Sequence, residues 1–430
     1  MKIALGMITK SLDSDVELLR FIENAEKYGH SLDCVIVAYA QKVDPNVENR
    51  LKEKVRLITV DIKNPNYCLE KFQSFGISEA STETLLGCPV QIQRGMVPYG
   101  FNRNIVLIEA MLRGADILFF VDSDVVPSVL KMTPDGLKVE EEDFFGVHLE
   151  HLTAGSQVTT GEYSGYNILP PALFDGMEDL LAGLQKSDVL EYWQNSGTHR
   201  CLTVQPQERI AVPSTKILGG NCAIRLSALQ KLPPFFSSHY MFDGEMFLCR
   251  GEDTMLGLEI EKSGAICTDV GLRPLHDTYK NYPTEPNLRG DADTQERFYY
   301  ACTGWVGRNP LLNFVRGENL IEVREYQRMR LVRGLIALAE YTSNPRFLKV
   351  MKNFEVSWNN VGRYISEYER VAEAWEEYIR RSNLTHEGTT DKPLPARGFR
   401  QRDIHSQHRG ASYEKRPRNK HRHAGEHDTF

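Results

Sequence analysis

Four short groups of residues in this chain have types and spacings that could do chemistry. The first is Asp122-Ser-Asp124, two carboxylates one residue apart at the end of an apolar run. Side chains two apart on extended backbone share a face, so both can approach one hard divalent cation, which prefers oxygen ligands and keeps waters and substrate phosphates. The plainer alternative is a polar strand end with one Asp capping a turn. The second is Arg103-Asn104, where a guanidinium and free helical N–H groups together suit a phosphate, although a surface ion pair would also explain the Arg. The third is Gly219-Gly220-Asn221, where paired glycines admit close backbone approach to a ligand and Asn adds a donor and an acceptor. A β-turn would explain these glycines alone. The fourth is Gly251-Glu252-Asp253, acids that open an apolar-rich segment and that helix capping would equally favour.

Elements must deliver these groups to one place. Ile117 to Val121 is unbroken apolar and β-prone, as a strand buried on both faces of a parallel sheet reads. Asp122 and Asp124 then leave the sheet at its carboxyl end, where open α/β sheets bind ligands. Residues 2–9, 34–39 and 55–60 predict three further strands. Between the first two, Ser11-Leu-Asp-Ser-Asp15 supplies cap chemistry, Val16, Leu19, Ile22 and Ala25 recur at helical spacing, and Gly29 is placed to stop the helix. This β-α-β-α-β order predicts a parallel sheet with right-handed crossovers. Residues 105–112 predict a helix packed on the 117–121 strand. Residues 61–99, with Pro65, Pro89 and Pro98, read as a long irregular loop. Glu140 to Asp143 read as a solvated turn, 144–149 and 265–270 as strands, and 153–167 as a loop over the site, as does the segment from Trp193 to His199. Tyr163, Tyr166 and Trp193 are candidates for stacking on an acceptor bound there, with ordinary packing as the alternative.

From Asp293 helices dominate, over 320–341, 346–358 and 361–381, and they are expected to pack on the preceding domain or on another subunit. Beyond Asn383 apolar residues nearly vanish and the chain turns basic, so 386–430 is expected to be disordered. The expected organisation is therefore 1–290, 291–385 and a tail.

At 430 residues, 41% hydrophobic and 25% charged, the composition is that of a soluble protein, and a net charge of −7 gives no reason to expect nucleic acid or an anionic membrane. No segment reaches the roughly 20 apolar residues that span a bilayer, and the first strand is too short an apolar run for a signal peptide. Eight cysteines without a Cys-x-x-Cys pair predict buried free thiols in a reducing cytoplasm. No Gly-x-Gly-x-x-Gly follows the first strand, nor does a phosphate-binding Gly-x-x-x-x-Gly-Lys-Ser/Thr, which argues against dinucleotide and P-loop enzymes.

Gly100-Phe-Asn-Arg103-Asn104, a helix, Arg113-Gly-Ala-Asp116, a buried strand and Asp122-x-Asp124 form an order that resembles the metal-binding core of glycosyltransferases with the GT-A fold, closest to the broad family 2 type. Gly219-Gly220-Asn221, then Phe242-Asp243-Gly244, then Glu252-Asp253 opening a helix is similar to the same family's downstream order. The resemblance implies an α/β, Rossmann-like, mostly parallel sheet flanked by helices, and a C-terminal helical extension similar in plan to that of small retaining sugar transferases such as mannosylglycerate synthase. It implies transfer of a sugar from a nucleoside-diphosphate sugar donor to a hydroxyl acceptor, a saccharide or small molecule, with Mn²⁺ or Mg²⁺ as cofactor. By that resemblance Asp122, Asp124 and His276 hold the metal, imidazole favouring Mn²⁺. Thr9, Lys10, Tyr39, Arg103, Asn104, Asp122 and Arg273 face the donor, and Gly219, Gly220 and Asn221 the acceptor. Asp253, beside Glu252, is the general base. The chain departs from family 2 in carrying Ala38-Tyr-Ala-Gln-Lys42, with no Asp, directly after the second strand. The stereochemical outcome stays open between inversion and retention. The rival readings are a nucleotidyltransferase of related fold, whose Gly-rich loop after the first strand is missing here, and a sugar- or nucleotide-binding module without turnover.

Overall fold

A computed structural model describes residues 1–88, 98–187, 189, 202–232, 234–280 and 282–386. The strands are β1 Ile3–Thr9, β2 Cys34–Tyr39, β3 Leu57–Asp61, β4 Ile117–Asp122, β5 Val125–Thr133, β6 Gly136–Glu141, β7 Val158–Thr160, β8 Gly165–Tyr166, β9 Leu202–Thr203, β10 Val212–Pro213, β11 Asn221–Arg225, β12 His239–Phe242, β13 Glu245–Leu248, β14 Cys267–Asp269 and β15 Pro274–His276. The α-helices are α1 Val16–Lys27, α2 Pro45–Lys54, α3 Asn66–Phe75, α4 Glu79–Leu86, α5 Tyr99–Leu112, α6 Phe144–Thr153, α7 Met177–Gly183, α8 Glu252–Ser263, α9 Ala292–Arg316, α10 Leu320–Thr342, α11 Lys349–Asn359 and α12 Val361–His386.

The central sheet has eight strands in the order β10-β14-β7-β11-β4-β1-β2-β3. The β3-β2-β1-β4 half is parallel throughout, and β11 runs antiparallel to both β4 and β7. This is the mostly parallel α/β sheet, flanked by helices, that the resemblance implied, built in half from the strands that the apolar runs predicted. β1, β2 and β4 are buried along almost their whole length because helices cover both faces, so each reads as continuous apolar sequence. Ile105, Val106 and Ile108 of α5 pack one face, while Phe21 of α1 and Phe144 and Phe145 of α6 pack the other.

Several expectations are corrected. Residues 61–99 are not one loop: α3 and α4 occupy much of the stretch, and Ser78 caps α4 through the amide of Ser81. Residues 144–149 form helix α6 rather than a strand, with Phe144, Phe145, Val147, His148 and Leu152 buried at helical spacing. The acidic run from Glu140 does not make a solvated turn either. Glu140 and Glu141 lie in β6, the outer strand of the ribbon β15-β5-β6, paired with Lys131 and Lys27. Asp243-Gly244, after Phe242 of β12, forms the turn of the β12–β13 hairpin, where Asp243 pairs with Lys349.

Residues Met1–His386 form one compact unit. The helices after 290 share a core with earlier segments: Phe298, Trp305, Leu335 and Phe354 pack with Leu180, Tyr240 and Phe247. α12 returns to the first half of the sheet, stacking Tyr378 on Phe72 at 4.9 Å, while Glu377 accepts hydrogen bonds from Ser78 and Ser81. Among the described cysteines all are free, and all but Cys88 are buried. No described helix is long and apolar enough to cross a membrane. The segment around Trp193 and the tail from 387 lie outside the described residues.

Candidate functional site

The parallel register brings the carboxyl ends of three strands together: Ile8 lies beside Asp122, and Thr9 beside Tyr39. β4 ends at Asp122, Ser123 and Asp124 make the turn, and β5 begins at Val125. β15 pairs antiparallel with β5, His276 against Val125, which is why an imidazole so distant in sequence meets Asp124. His276 Nε2 lies 3.1 Å from Asp124 Oδ1, and its Nδ1 lies 3.1 Å from the Thr278 hydroxyl. A hydroxyl can donate or accept, so Thr278 can support either tautomer of the ring.

The second Asp124 oxygen accepts from Arg297 Nη2 at 3.2 Å, reaching in from the first turns of α9. Burial alone would raise the Asp124 carboxyl, but His276 and then Arg297 outweigh it and hold the group down at about 2. Nothing local in the sequence marks Arg297. Its place depends on how α9 packs beside the β5–β15 ribbon.

Arg103 organises a second cluster from the N-terminal turns of α5. Its Nη2 donates to Asp122 Oδ1 at 2.8 Å, Nη1 to the Gly219 carbonyl at 2.6 Å and Nε to Glu252 Oε1 at 3.1 Å. The side chain is 3% exposed and lies against Phe120 and Phe235. A Cβ on Gly219 would sit 2.5 Å from the guanidinium, and one on Gly220 2.3 Å from Asp122 Oδ2, so both glycines are fixed by the closeness of these charges. Burial and the charge of Asp253 push Glu252 up to about 7, against the pull of Arg103. Asp253 Oδ2 accepts the Gly219 N–H at 3.1 Å and its Oδ1 accepts the Thr254 N–H at 2.7 Å.

Tyr163 joins the clusters. Its hydroxyl accepts the Gly220 N–H at 3.0 Å, and its ring centroid is 4.7 Å from that of His276.

The structure thus gathers Arg103, Asp122, Gly219, Gly220, Glu252 and Asp253 into one group, and Asp124 and His276 into a neighbouring one. Thr9, Lys10 and Tyr39 stand at the same end of the sheet without a hydrogen bond to either. The Thr9 hydroxyl donates to Ser11 O at 2.9 Å, Lys10 is exposed, and Tyr39 is half-buried. Three other side chains serve the fold. Asn104 donates to Phe235 O at 2.7 Å within the core. Asn221 is fully buried, donating to Glu162 O and Leu272 O and meeting His148 Nε2 at 3.1 Å. Arg273 donates to Val204 O at 3.0 Å.

Asp124 and His276 suit a divalent cation. Two neighbouring ligands each about 2.1 Å from a metal stand about 3 Å apart, the separation these two atoms already have. Asp122 is turned toward Arg103, and among the described residues no three His, Cys, Asp or Glu side chains are gathered around one point. A cation held by two side chains, completing its shell with waters and phosphate oxygens, fits this donor set.

No family model matches the chain, and no curated protein sequence matches it. Among solved structures, glucosyl-3-phosphoglycerate synthase from Mycobacterium tuberculosis in complex with uridine diphosphate is 14% identical, covering 74% of this chain and 81% of that one at a TM-score of 0.34. The same synthase with Mn²⁺, uridine-diphosphate-glucose and phosphoglyceric acid is 13% identical over 74% and 80% of the two chains, also at 0.34. A mycobacterial protein is 14% identical over 70% and 74%, again at 0.34. A likeness of this degree assigns neither residues nor activity.

Proposed function

We propose that the chain is a metal-dependent glycosyltransferase of the GT-A type, moving a sugar from a nucleoside-diphosphate sugar to a hydroxyl acceptor. The observation that carries this reading is the pairing of Asp124 with His276 at the carboxyl end of β4, beside the acids that open α8 across the Gly219–Gly220 turn. Asp124 and His276 would hold the cation, with Asp122 beside them held by Arg103. When bound, the cation supplies Lewis-acid stabilisation of the charge that builds on the diphosphate leaving group. Thr9, Lys10 and Tyr39 border the nucleoside at the ends of β1 and β2. Arg103 is a positioning residue, fixing Asp122 and Glu252 from within. Arg297 pairs with the second Asp124 oxygen.

In the reaction the acceptor oxygen attacks the anomeric carbon while its proton passes to the Asp253 carboxylate. The bond from that carbon to the diphosphate oxygen breaks, and the electron pair leaves with the diphosphate. Asp253 suits the base because Gly219 N–H fixes one oxygen and the group is only half-buried. Glu252, buried with its Oε1 accepting from Arg103 Nε, fits that role less well.

The test is a panel of nucleoside-diphosphate sugars, assayed for transfer and hydrolysis with and without Mn²⁺. Turnover of one donor that needs the cation and disappears in Asp124→Ala supports the reading. Binding without turnover for every donor identifies a sugar-nucleotide-binding module instead, and an Asp124→Ala variant with an unchanged rate removes that residue from the site.

A further inference from the structure

The C-terminal helices leave one face that no described part of the chain covers. On α10 both flanks are engaged: Arg330 pairs with Asp179 of α7, and Arg324 and Arg328 pair with Glu355 of α11. Between those flanks Met329, Val332 and Ile336 follow one another at helical spacing, and they are 60%, 39% and 48% exposed. Beside the end of this stripe lies a groove of about 240 Å³, lined by Ile336, Ala339, Glu340, Pro345 and Leu348. Arg333 and Glu340, about two helical turns apart and on the same side of the stripe, are exposed and have no ion-pair partner among the described residues.

We propose that this face seats a second copy of the same chain, with the two α10 helices antiparallel about a two-fold axis between Ile336 and Ala337. The surface is complementary to itself in that arrangement, as a two-fold interface requires. Residues equally far from the axis on opposite sides face each other, so Arg333 of each copy meets Glu340 of the other. Met329 stands about 11 Å from the axis at a rise of 1.5 Å per residue. At that distance the other copy presents the groove edged by Pro345 and Leu348, which a flexible methionine can fill. In a parallel pair in register the Arg333–Glu340 sides of the two copies lie on opposite sides of the seam, so Arg333 and Glu340 do not meet across it. Charge thus selects the antiparallel orientation as the apolar stripe supplies the contact.

Sedimentation equilibrium on the full-length chain tests the arrangement. The wild-type protein is expected at twice the chain mass, and Ile336→Glu at the single mass with an unchanged circular dichroism spectrum. Arg333→Glu and Glu340→Arg each set like charges across both symmetric contacts and are expected to weaken association about tenfold or more. The double variant Arg333→Glu/Glu340→Arg exchanges the charges and is expected to recover wild-type association. A wild-type protein that stays single at micromolar concentration overturns the proposal. So does a dimer indifferent to Ile336→Glu, or a double variant no tighter than the two singles.

Discussion

The two charged clusters at the end of β4 share the Tyr163 side chain between them and are built in opposite ways. Around Arg103 every guanidinium nitrogen is spent on the protein, the side chain is 3% exposed, and glycines stand where no Cβ would fit. Around Asp124 the partners arrive from β15 and α9, and both His276 and Arg297 are partly open to solvent. A buried, fully partnered cation has nothing left to give a ligand and serves as a fixed frame. A half-open carboxylate held by two exchangeable partners can pass one of its oxygens to a metal. The contrast separates positioning residues from ligand-holding ones, although both sets look alike as charged residues in a sequence.

Breaking the frame should cost the most. Arg103→Met leaves Asp122 and Glu252 without their cation, and a loss of about 3–5 kcal/mol in denaturant-measured stability is expected. Asp124→Asn, on the open side, should cost less, about 2 kcal/mol, the linkage equivalent of a carboxyl held at about 2 by His276 and Arg297. The frame also carries a pH signature through His148, which is fully buried between Thr159 and Asn221 and pushed by burial from 6.5 down to about 4. The unfolded chain therefore binds a proton that the folded chain refuses between those values, so stability is complete above pH 6.5 and falls as pH drops toward 4. The shift corresponds to about 3 kcal/mol, and His148→Gln should flatten that part of a stability profile measured by denaturant midpoints. The smallest effect sharpens the open side. Arg297→Gln removes a positive charge that competes for Asp124, so Mn²⁺ affinity is expected to rise about five-fold, as read by titration calorimetry.

The frame strands were legible because strands covered on both faces read as continuous apolar runs: 34–39 matches β2 residue for residue, and 117–121 covers all of β4 except Asp122. A close approach at Gly219-Gly220 was legible because it leaves only glycine, but not that Arg103 and Asp122 of the chain itself are what comes close. α6 was hidden because Phe144-Phe145-Gly146-Val147 is too short a window, and only burial through Leu152 shows its helical period. α3 and α4 were hidden by their shortness and by Pro65 and Gly76, which mark helix ends as readily as loops. Asn104 and Asn221 could not be told from ligand-facing residues, since either is a donor and acceptor until its partners are known, and both face inward. Arg297 was illegible for the opposite reason. Its contact is made by tertiary packing of α9 alone, and no spacing encodes it.

The account stands or falls on Asp124 and His276 sharing one cation. Mn²⁺ binding followed by electron paramagnetic resonance measures this directly in the wild-type protein, Asp124→Asn and His276→Gln. One bound Mn²⁺ per chain, weakened about tenfold or more by each substitution, is the predicted result. A wild-type chain that leaves Mn²⁺ free in the presence of uridine diphosphate, or one whose binding both variants retain unchanged, would contradict it.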